Sequence, residues 1–330
     1  MLALAVAGAA ARNLDTNAML AWRPLAAQPF FAAAGSAKGQ RRAELLQEAI
    51  HRDPRAPELR LALIQNLVRS GRMPAAVDQL AILRRLDAPL TDEVLAKLAS
   101  QIVSPSRARA VAEAFGKHPE LFVPILSHLT QSPDKAPAVT LIRHMPPKAF
   151  DIAPVRAAAI GILADGGEYR RAYALWSGTL PPAPPLRDPD FSGNTPEGPF
   201  SWRFTSGDAG AADRTPDGLE LVAFGQQSGV LADQLLLLAP GPWRITLDYE
   251  IIDHANGGIA LALRCQDSGQ PLASAVLGGN AGSRRTISLD AVVPRSDCAG
   301  QRLQIETGPS DDLKDMHARA FSIHVTRAAS

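Results

Sequence analysis

The hydrophobic pattern of the chain changes at a proline-rich stretch between Pro181 and Pro185. Before this stretch, apolar residues recur at the spacing of helices, and after it they alternate along short runs separated by Gly and Pro. One regular element cannot follow both patterns, so the sequence predicts two different folds joined in one chain. We predict a helical-repeat domain over residues 12–180, a Pro-rich linker over 181–187 and a β-sandwich domain over 188–330.

The composition is that of a globular protein with room for two cores. The chain has 330 residues, of which 46% are hydrophobic and 20% charged, and this is too apolar for general disorder. Residues 1–187 carry 23 Lys and Arg against 15 Asp and Glu, whereas residues 188–330 carry 11 against 18. The basic residues are scattered among acidic ones, which is typical of solvated helix faces, so we expect no nucleic-acid partner.

The clearest helical segment is a hairpin between Pro57 and Leu83. Gly71 suits the left-handed residue that ends a helix, and Pro74 suits the first turn of the next one. Periodicity predicts four buried residues in the hairpin: Leu63, Leu67, Leu80 and Leu83. Prolines further along the chain separate four shorter predicted helices, at 92–103, 106–117, 119–130 and 135–144.

Gly71, Ala76 and Leu80 resemble the tetratricopeptide repeat, a pattern of about 34 residues with Gly at the turn between its two helices. The same spacing returns from Gly167 to Trp176. The two glycines are not separated by a whole number of repeats, so "helical-repeat solenoid" describes this half better than the specific family. The resemblance implies a curved surface that docks a protein partner. The alternative is that the helices form only a spacer.

Nine short runs with turns between them predict an antiparallel β-sandwich or jelly roll. They are Phe200–Phe204, Leu219–Ala223, Gly229–Ala239, Pro242–Ile252, Gly257–Arg264, Leu272–Leu277, Arg284–Leu289, Arg302–Thr307 and Ala318–Thr326. The run from Trp243 to Ile251 alternates most clearly, and its apolar members share one predicted core face: Trp243, Ile245, Leu247, Tyr249 and Ile251. The fold class expected is therefore multidomain, an α-helical repeat followed by a β-sandwich.

The start of the β half, Asp188 to Gly193 followed by Gly198 to Phe204, resembles the first strands of carbohydrate-binding-module-like β-sandwiches. Residues 188–330 as a whole resemble the C-terminal domain of bacterial tetratricopeptide-repeat proteins found with exopolysaccharide genes. This resemblance implies contact with a polysaccharide or a protein in exopolysaccharide biosynthesis or export, within the cell envelope. It carries no catalytic residues to transfer.

Sugar sites usually combine an exposed aromatic ring with polar groups that read hydroxyls. Trp202, Phe204, Trp243 and Tyr249 follow the core periodicity, which favours burial over ligand stacking. Two loops offer better candidates. The predicted ligand-binding residues are Phe224, Gln226, Gln227, Asp253, His254 and Asn256.

Sequence motifs for chemistry are missing. The seven histidines form no metal-ligand spacing, and there is no nucleophile elbow, phosphate loop or dinucleotide fingerprint. We therefore predict a protein that is not an enzyme and that uses no cofactor and no metal. Two alternatives stay open: a purely structural protein–protein scaffold, and a carbohydrate-active enzyme whose site is assembled from distant residues.

Two features bear on the compartment. Cys265 and Cys298, the only cysteines, fall in or beside predicted strands, where a disulfide is geometrically allowed and would fit an exported protein; the alternative is two buried thiols. Residues 1–11 are apolar but too short to span a bilayer. They predict either the remnant of a membrane anchor or signal, or a packed first helix. We expect a periplasmic or inner-membrane-anchored protein, with a cytoplasmic one as the alternative.

Overall fold

A computed structural model describes residues 25–179, 186–193, 196–225, 227–253, 258–308 and 315–328. The chain divides into two compact units, residues 1–155 and 156–330. The apolar segment 1–11 and most of the Pro-rich linker 181–187 lie outside the described residues. None of the helices in the described part of the chain combines the length and the apolar character that crossing a membrane requires.

The first half of the chain is helical, as the sequence predicts. Its described residues form ten α-helices and two short 3-10 turns, at Pro119–Leu121 and Pro147–Asp151. The helices are α1 (Gln28–Ser36), α2 (Gly39–Arg52), α3 (Pro57–Arg69), α4 (Met73–Leu86), α5 (Ala88–Ala99), α6 (Pro105–Phe115), α7 (Phe122–Leu129), α8 (Ala136–His144), α9 (Ala153–Asp165) and α10 (Tyr169–Ser177).

The predicted hairpin at Gly71 is confirmed. Gly71 has φ of 73°, a left-handed conformation that favours glycine, and it joins α3 to α4, which pack against each other. The predicted stripe is buried: Leu63, Leu67, Leu80 and Leu83 are all at most 5% exposed. Successive helices pack in sequence from α1 to α5, and later α5 packs on α7 and α6 on α8. The first helices therefore pack as successive hairpins, whereas later helices also pack on helices that do not adjoin them in the chain.

Helix α5 begins earlier than the predicted range 92–103. The Asp87 side chain accepts a hydrogen bond from the Leu90 amide at 3.0 Å, which caps the helix, and Pro89 lies in its first turn. A capping carboxylate and a first-turn proline together define a helix start. Pro89 therefore opens a helix here.

The described residues of the second half form eleven strands in two antiparallel sheets. The strands are β1 (Arg203–Phe204), β2 (Ser206–Gly207), β3 (Gly210–Thr215), β4 (Gly218–Ala223), β5 (Gly229–Leu236), β6 (Gly241–Asp253), β7 (Ile259–Cys265), β8 (Pro271–Val276), β9 (Arg284–Val293), β10 (Gln301–Thr307) and β11 (Met316–Arg327). One sheet has the order β1-β5-β10-β7-β8 and the other β2-β3-β4-β11-β6-β9. The predicted antiparallel β-sandwich is thus confirmed.

The core lies between the two sheets, and β6 shows why the sequence predicts it. Ile245, Leu247, Tyr249 and Ile251 are at most 4% exposed and belong to one buried cluster that draws on both sheets. Trp243 is half-buried at the margin of this cluster, and its indole Nε1 donates to the Ala239 carbonyl at 2.7 Å. Alternate residues of an antiparallel strand face opposite sides, so one face fills the core and the other meets solvent.

Three strand predictions need correction. β2 and β3 were not predicted, because Ser206 and Gly207 are poor strand formers and Gly210 to Thr215 has no aromatic residue and only Thr215 as a β-branched one. β1 covers only Arg203 and Phe204 of the predicted run from Phe200. Asp188 to Gly193 forms no strand; Asp188 and Phe191 have φ of 50° and 59°, so the chain turns there instead.

Helix α10 lies in the same compact unit as the two sheets, although the sequence places it in the helical domain 12–180. The rings of Tyr173 and Trp176 pack on Phe200, with centroids 5.2 and 5.6 Å away. At the other end of α10, the Tyr169 hydroxyl donates to Asp267. Aromatic contacts and a hydrogen bond thus attach α10 to residues that follow the linker.

Cys265 and Cys298 form a disulfide, with their Cα atoms 5.0 Å apart. The bond joins the last residue of β7 to the loop before β10. Gln301, which is fully buried, donates through Nε2 to the Cys298 carbonyl at 2.5 Å and accepts from the Leu238 amide at 2.8 Å. The disulfide and this amide side chain together hold the loop against the sandwich.

Candidate functional site

Half of the predicted ligand-binding residues lie within the described ranges, and these fall at one end of the sandwich. Phe224 is 37% exposed directly after β4, and Gln227 is exposed with its carbonyl accepting from the Thr307 hydroxyl at 3.1 Å. Asp253 is the exposed last residue of β6. Gln226, His254 and Asn256 lie outside the described residues. These assignments therefore stay predictions.

Strand β11 explains why the ends of β4 and β6, where the two predicted loops begin, are near each other. It lies between β4 and β6, with Met316 opposite Ala223 and His317 opposite Asp253. Adjacent strands are about 4.8 Å apart, so the ends of β4 and β6 are separated by about twice that distance. His317 joins this end of the sandwich, and sequence reasoning missed it because its pairing partners are far away in the chain.

A concave site lies elsewhere, at the edge of the sandwich. This edge cavity has a volume of about 410 Å³ and is lined by Glu197, Gly198, Ser201, Trp202, Arg203, Phe204 and Arg214. Small-molecule sites commonly enclose about 300–1,000 Å³. β1 supplies Arg203 and Phe204 from the edge of the five-stranded sheet, and β3 supplies Arg214 from the other sheet. Phe224, Gln227 and Asp253, the predicted ligand-binding residues that the structure describes, do not line this cavity.

The turn Asp188 to Gly193 holds Arg214 in the cavity wall. The Asp188 carboxylate is fully buried and accepts from Arg214 Nη2 at 2.9 Å, from the Ser192 hydroxyl at 2.9 Å and from the Gly193 amide at 3.0 Å. Trp202 Nε1 donates to the Asp188 carbonyl at 3.1 Å. Burying a carboxylate requires such partners, so the left-handed turn at Asp188 positions two cavity residues at once.

A second carboxylate holds Arg203. Asp233 of β5 accepts from Arg203 Nε at 2.8 Å and Nη2 at 2.5 Å, and it also accepts from Arg302 of β10. Burial opposes the charged form of Asp233, but hydrogen bonds and charge from Arg203 and Arg302 outweigh it and keep its pKa below the ordinary value. The hydrogen bonds that Arg203 donates to Asp233 raise the pKa of Arg203. Arg302 in turn donates through Nε to Gln266 at 2.5 Å.

Helix α10 supports the part of the cavity wall that Glu197 and Gly198 form. Trp176 Nε1 donates to the Glu197 carbonyl at 3.1 Å, and a Cβ atom added at Gly198 would lie 2.7 Å from that nitrogen. Gly198 has φ of 152°, and its lack of a side chain lets the indole approach. The segment that carries Glu197 is thus positioned by a residue of the preceding helix.

The cavity offers hydrogen-bond donors and acceptors. Arg203 and Arg214 donate, Glu197 accepts, and the Ser201 hydroxyl, which donates to the Pro196 carbonyl, can still accept. Glycoside hydrolysis generally uses a pair of carboxylates, and Glu197 is the one carboxylate among the described residues that line the cavity. No group of His, Cys, Asp and Glu within the described ranges is placed to hold a metal ion. The geometry suits binding of a polar ligand.

The sequence matches no protein-family model and no curated protein. Solved structures similar to the chain include TmCBM61 in complex with β-1,4-galactotriose, at 16% identity over 44% of this chain and 99% of that one, with a TM-score of 0.31. A CBM4 structure matches at 12% identity over 43% and 99%, with a TM-score of 0.34. The Stig cyclase Fisc from Fischerella sp. TAU matches at 10% over 44% and 98%, with a TM-score of 0.27. Similarity at this level assigns neither ligand nor activity.

Proposed function

We propose that the chain is a non-enzymatic interaction protein whose β-sandwich binds a glycan in the edge cavity. The observation that carries this proposal is the lining of the cavity, where guanidinium donors, a carboxylate acceptor and a hydroxyl converge on one concave space of about 410 Å³. A sugar presents several hydroxyls that both donate and accept, and such a mixed lining satisfies them. The single carboxylate of the described lining favours binding over hydrolysis.

The helical unit docks a protein partner in this proposal. Its support is the large apolar side chains that are exposed among the described residues of the first unit: Leu25, Phe31, Val68, Leu86 and Val103. Linking a glycan-binding module to a protein-binding one raises the local concentration of one ligand near the other. The protein would act as a tether.

The proposal places the protein in the cell envelope. The Cys265–Cys298 disulfide supports an oxidising compartment such as the periplasm. A role in exopolysaccharide biosynthesis or export belongs to the same proposal and is supported by the sequence resemblance alone. Fractionation of cells that express the native gene would test the compartment directly.

Affinity electrophoresis of the full chain through gels that contain soluble polysaccharides tests the glycan proposal. We expect at least one polysaccharide to retard the protein. The double variant Glu197→Gln/Arg203→Gln should migrate freely, because it replaces the charged acceptor and one charged donor of the cavity with neutral amides. Arg244→Gln is the matched control, since Arg244 is 54% exposed and pairs bidentately with Asp290, as Arg203 at 55% pairs with Asp233.

Two results would contradict the proposal. One is a panel in which no polysaccharide retards the protein, and the other is retardation that the double variant leaves unchanged. A reducing-end assay on each retarding polysaccharide tests the non-enzymatic part; release of new reducing ends by the wild type would show that the chain is a hydrolase.

A further inference from the structure

Other side chains of the protein already pack against the aromatic rings that line the edge cavity. Trp202 is 5% exposed, its ring packs on Phe191 with centroids 5.2 Å apart, and its nitrogen is bound to the Asp188 carbonyl. The guanidinium carbon of Arg214 lies over the Phe204 ring, 4.8 Å from its centroid. Stacking of a sugar needs a free ring face, so the cavity recognises its ligand through polar and charged groups.

The Arg203 guanidinium lines the cavity and has hydrogen-bond donors that its partner Asp233 does not use. Its Nε and Nη2 atoms bind Asp233, and no acceptor among the described residues holds its Nη1. Asp233 also neutralises part of Arg302, because it accepts from both arginines. The group of three side chains, two arginines and one aspartate, therefore sums to one positive charge beside the cavity, and Asp165 is a further carboxylate that acts on Arg203 through its charge.

The second guanidinium is presented in a similar way. The Asp188 carboxylate that holds Arg214 has 0% side-chain exposure, whereas the Arg214 side chain is 37% exposed. A ligand in the cavity meets the cation and not the buried anion. Of the described residues that line the cavity, two are guanidiniums and one, Glu197, is a carboxylate.

Building on the proposed function, we infer that the edge cavity selects a carboxylate-bearing sugar, a uronate, over its neutral counterpart. The planar guanidinium fork matches the geometry of a carboxylate. Residues 188–330 carry more acidic than basic side chains, so the net charge of the domain does not attract an anionic ligand. The preference for a uronate therefore comes from the guanidiniums that line the cavity. The Debye length is about 8 Å at physiological ionic strength, and a bound carboxylate therefore senses the guanidiniums in contact with it far more than the net charge of the domain.

Titration calorimetry of the full chain with paired oligosaccharides tests this inference. The probes are trimers of galacturonate, glucuronate, mannuronate and guluronate, each compared with the same trimer after chemical reduction of its carboxyl groups. We expect at least one uronate trimer to bind about tenfold or more tightly than its reduced counterpart, the effect of one charge-assisted hydrogen-bond pair. Raising the salt concentration should narrow that difference.

Variants of Arg203 locate the effect. Arg203→Gln should remove the preference for the uronate and leave the affinity for the reduced trimer within about twofold, while Arg203→Lys should keep part of the preference because it retains the charge without the planar fork. Asp233 stays paired with Arg302 in both variants, and near-UV circular dichroism checks that they fold. Arg244→Gln, on the other sheet, should bind both trimers as the wild type does.

The outcomes separate this inference from the proposed function. If reduced and unreduced trimers bind equally, or only neutral glycans bind, the choice of a uronate is wrong and the glycan proposal stands. If no glycan of either kind binds, both fail. If the preference for a uronate is present but survives Arg203→Gln, the cavity is not its source and the inference is overturned.

Discussion

Two ion pairs with nearly the same geometry lie in different surroundings on the sandwich. Arg203 with Asp233, and Arg244 with Asp290, are both bidentate, and both arginines are about half exposed. The carboxylates differ: the Asp233 side chain is 8% exposed and the Asp290 side chain is 62% exposed. An exposed pair exchanges contacts with water and contributes little, whereas a buried carboxylate depends on its partners.

The buried pair also belongs to a chain of contacts that the exposed pair lacks. Asp233 connects to Arg302, and Arg302 to Gln266, the residue after Cys265. Asp267 follows and accepts from Tyr169 of α10. The edge cavity, the disulfide and α10 thus share one polar network. The surroundings of an ion pair, more than its own geometry, decide what it contributes, and three variants probe this difference.

The largest expected effect is that of removing the disulfide at the end of this network. Cys265→Ala/Cys298→Ala should lower the free energy of unfolding by about 4 kcal/mol, because the bond closes a loop with a sequence separation of 33 residues. Urea unfolding followed by tryptophan fluorescence measures it, since Trp176, Trp202 and Trp243 all lie in the second unit. An unchanged unfolding midpoint would contradict the prediction.

The second-largest effect distinguishes the buried carboxylate of Asp233 from the exposed carboxylate of Asp290. Asp233→Asn should lower the free energy of unfolding by about 3 kcal/mol, the lower end of the range for breaking a buried pair, because it leaves Arg302 and Arg203 side by side without their shared anion. Asp290→Asn is the matched control and should leave the unfolding midpoint within experimental error. Equal losses in the two variants would show that burial of the carboxylate is irrelevant.

The dependence of the Asp233 effect on pH sharpens this test. Because the pKa of Asp233 is lower in the folded chain than its ordinary value, its stabilisation is fully present above the unfolded pKa of about 3.9. It is lost as the pH falls through the lower folded pKa. The wild type and Asp233→Asn should therefore differ fully at pH 7 and converge in acid below about pH 4. A constant difference between the two down to the lowest pH would contradict this assignment.

The smallest effect is expected at α10. Tyr169 is 3% exposed, and its burial together with the hydrogen bond to Asp267 raises the pKa of its hydroxyl. Tyr169→Phe should cost about 1 kcal/mol, since Asp267 is exposed and water replaces the lost donor. Hydrogen exchange should become faster in α10 and stay unchanged in β6 and β9, which carry the exposed pair. Faster exchange in all three would indicate general loosening.

Much of the secondary structure could be predicted from local patterns. Gly71 ends one helix and Pro74 lies in the first turn of the next, so both signals are local. The alternation from Ile245 to Ile251 specifies the core face of β6 by itself. β3 was not predicted because Gly210 to Thr215 has the composition of a turn. The sequence therefore assigned Arg214 to no strand and to no face of the sandwich. The boundary of the helical domain at residue 180 rested on periodicity, which cannot show that Trp176 packs on Phe200.

By itself the sequence determined that helices precede strands, which residues of β6 fill a core, and that the sandwich carries an excess of acidic residues. The tertiary structure decided where the edge cavity lies and what holds it. Arg203 and Asp233 are 30 residues apart and Arg302 is 69 residues beyond Asp233, and Asp188 meets Arg214 across 26 residues. Periodicity reports which face of an element is buried, whereas a site depends on which faces of distant elements meet. The strand order and the turn at Asp188 decide that together.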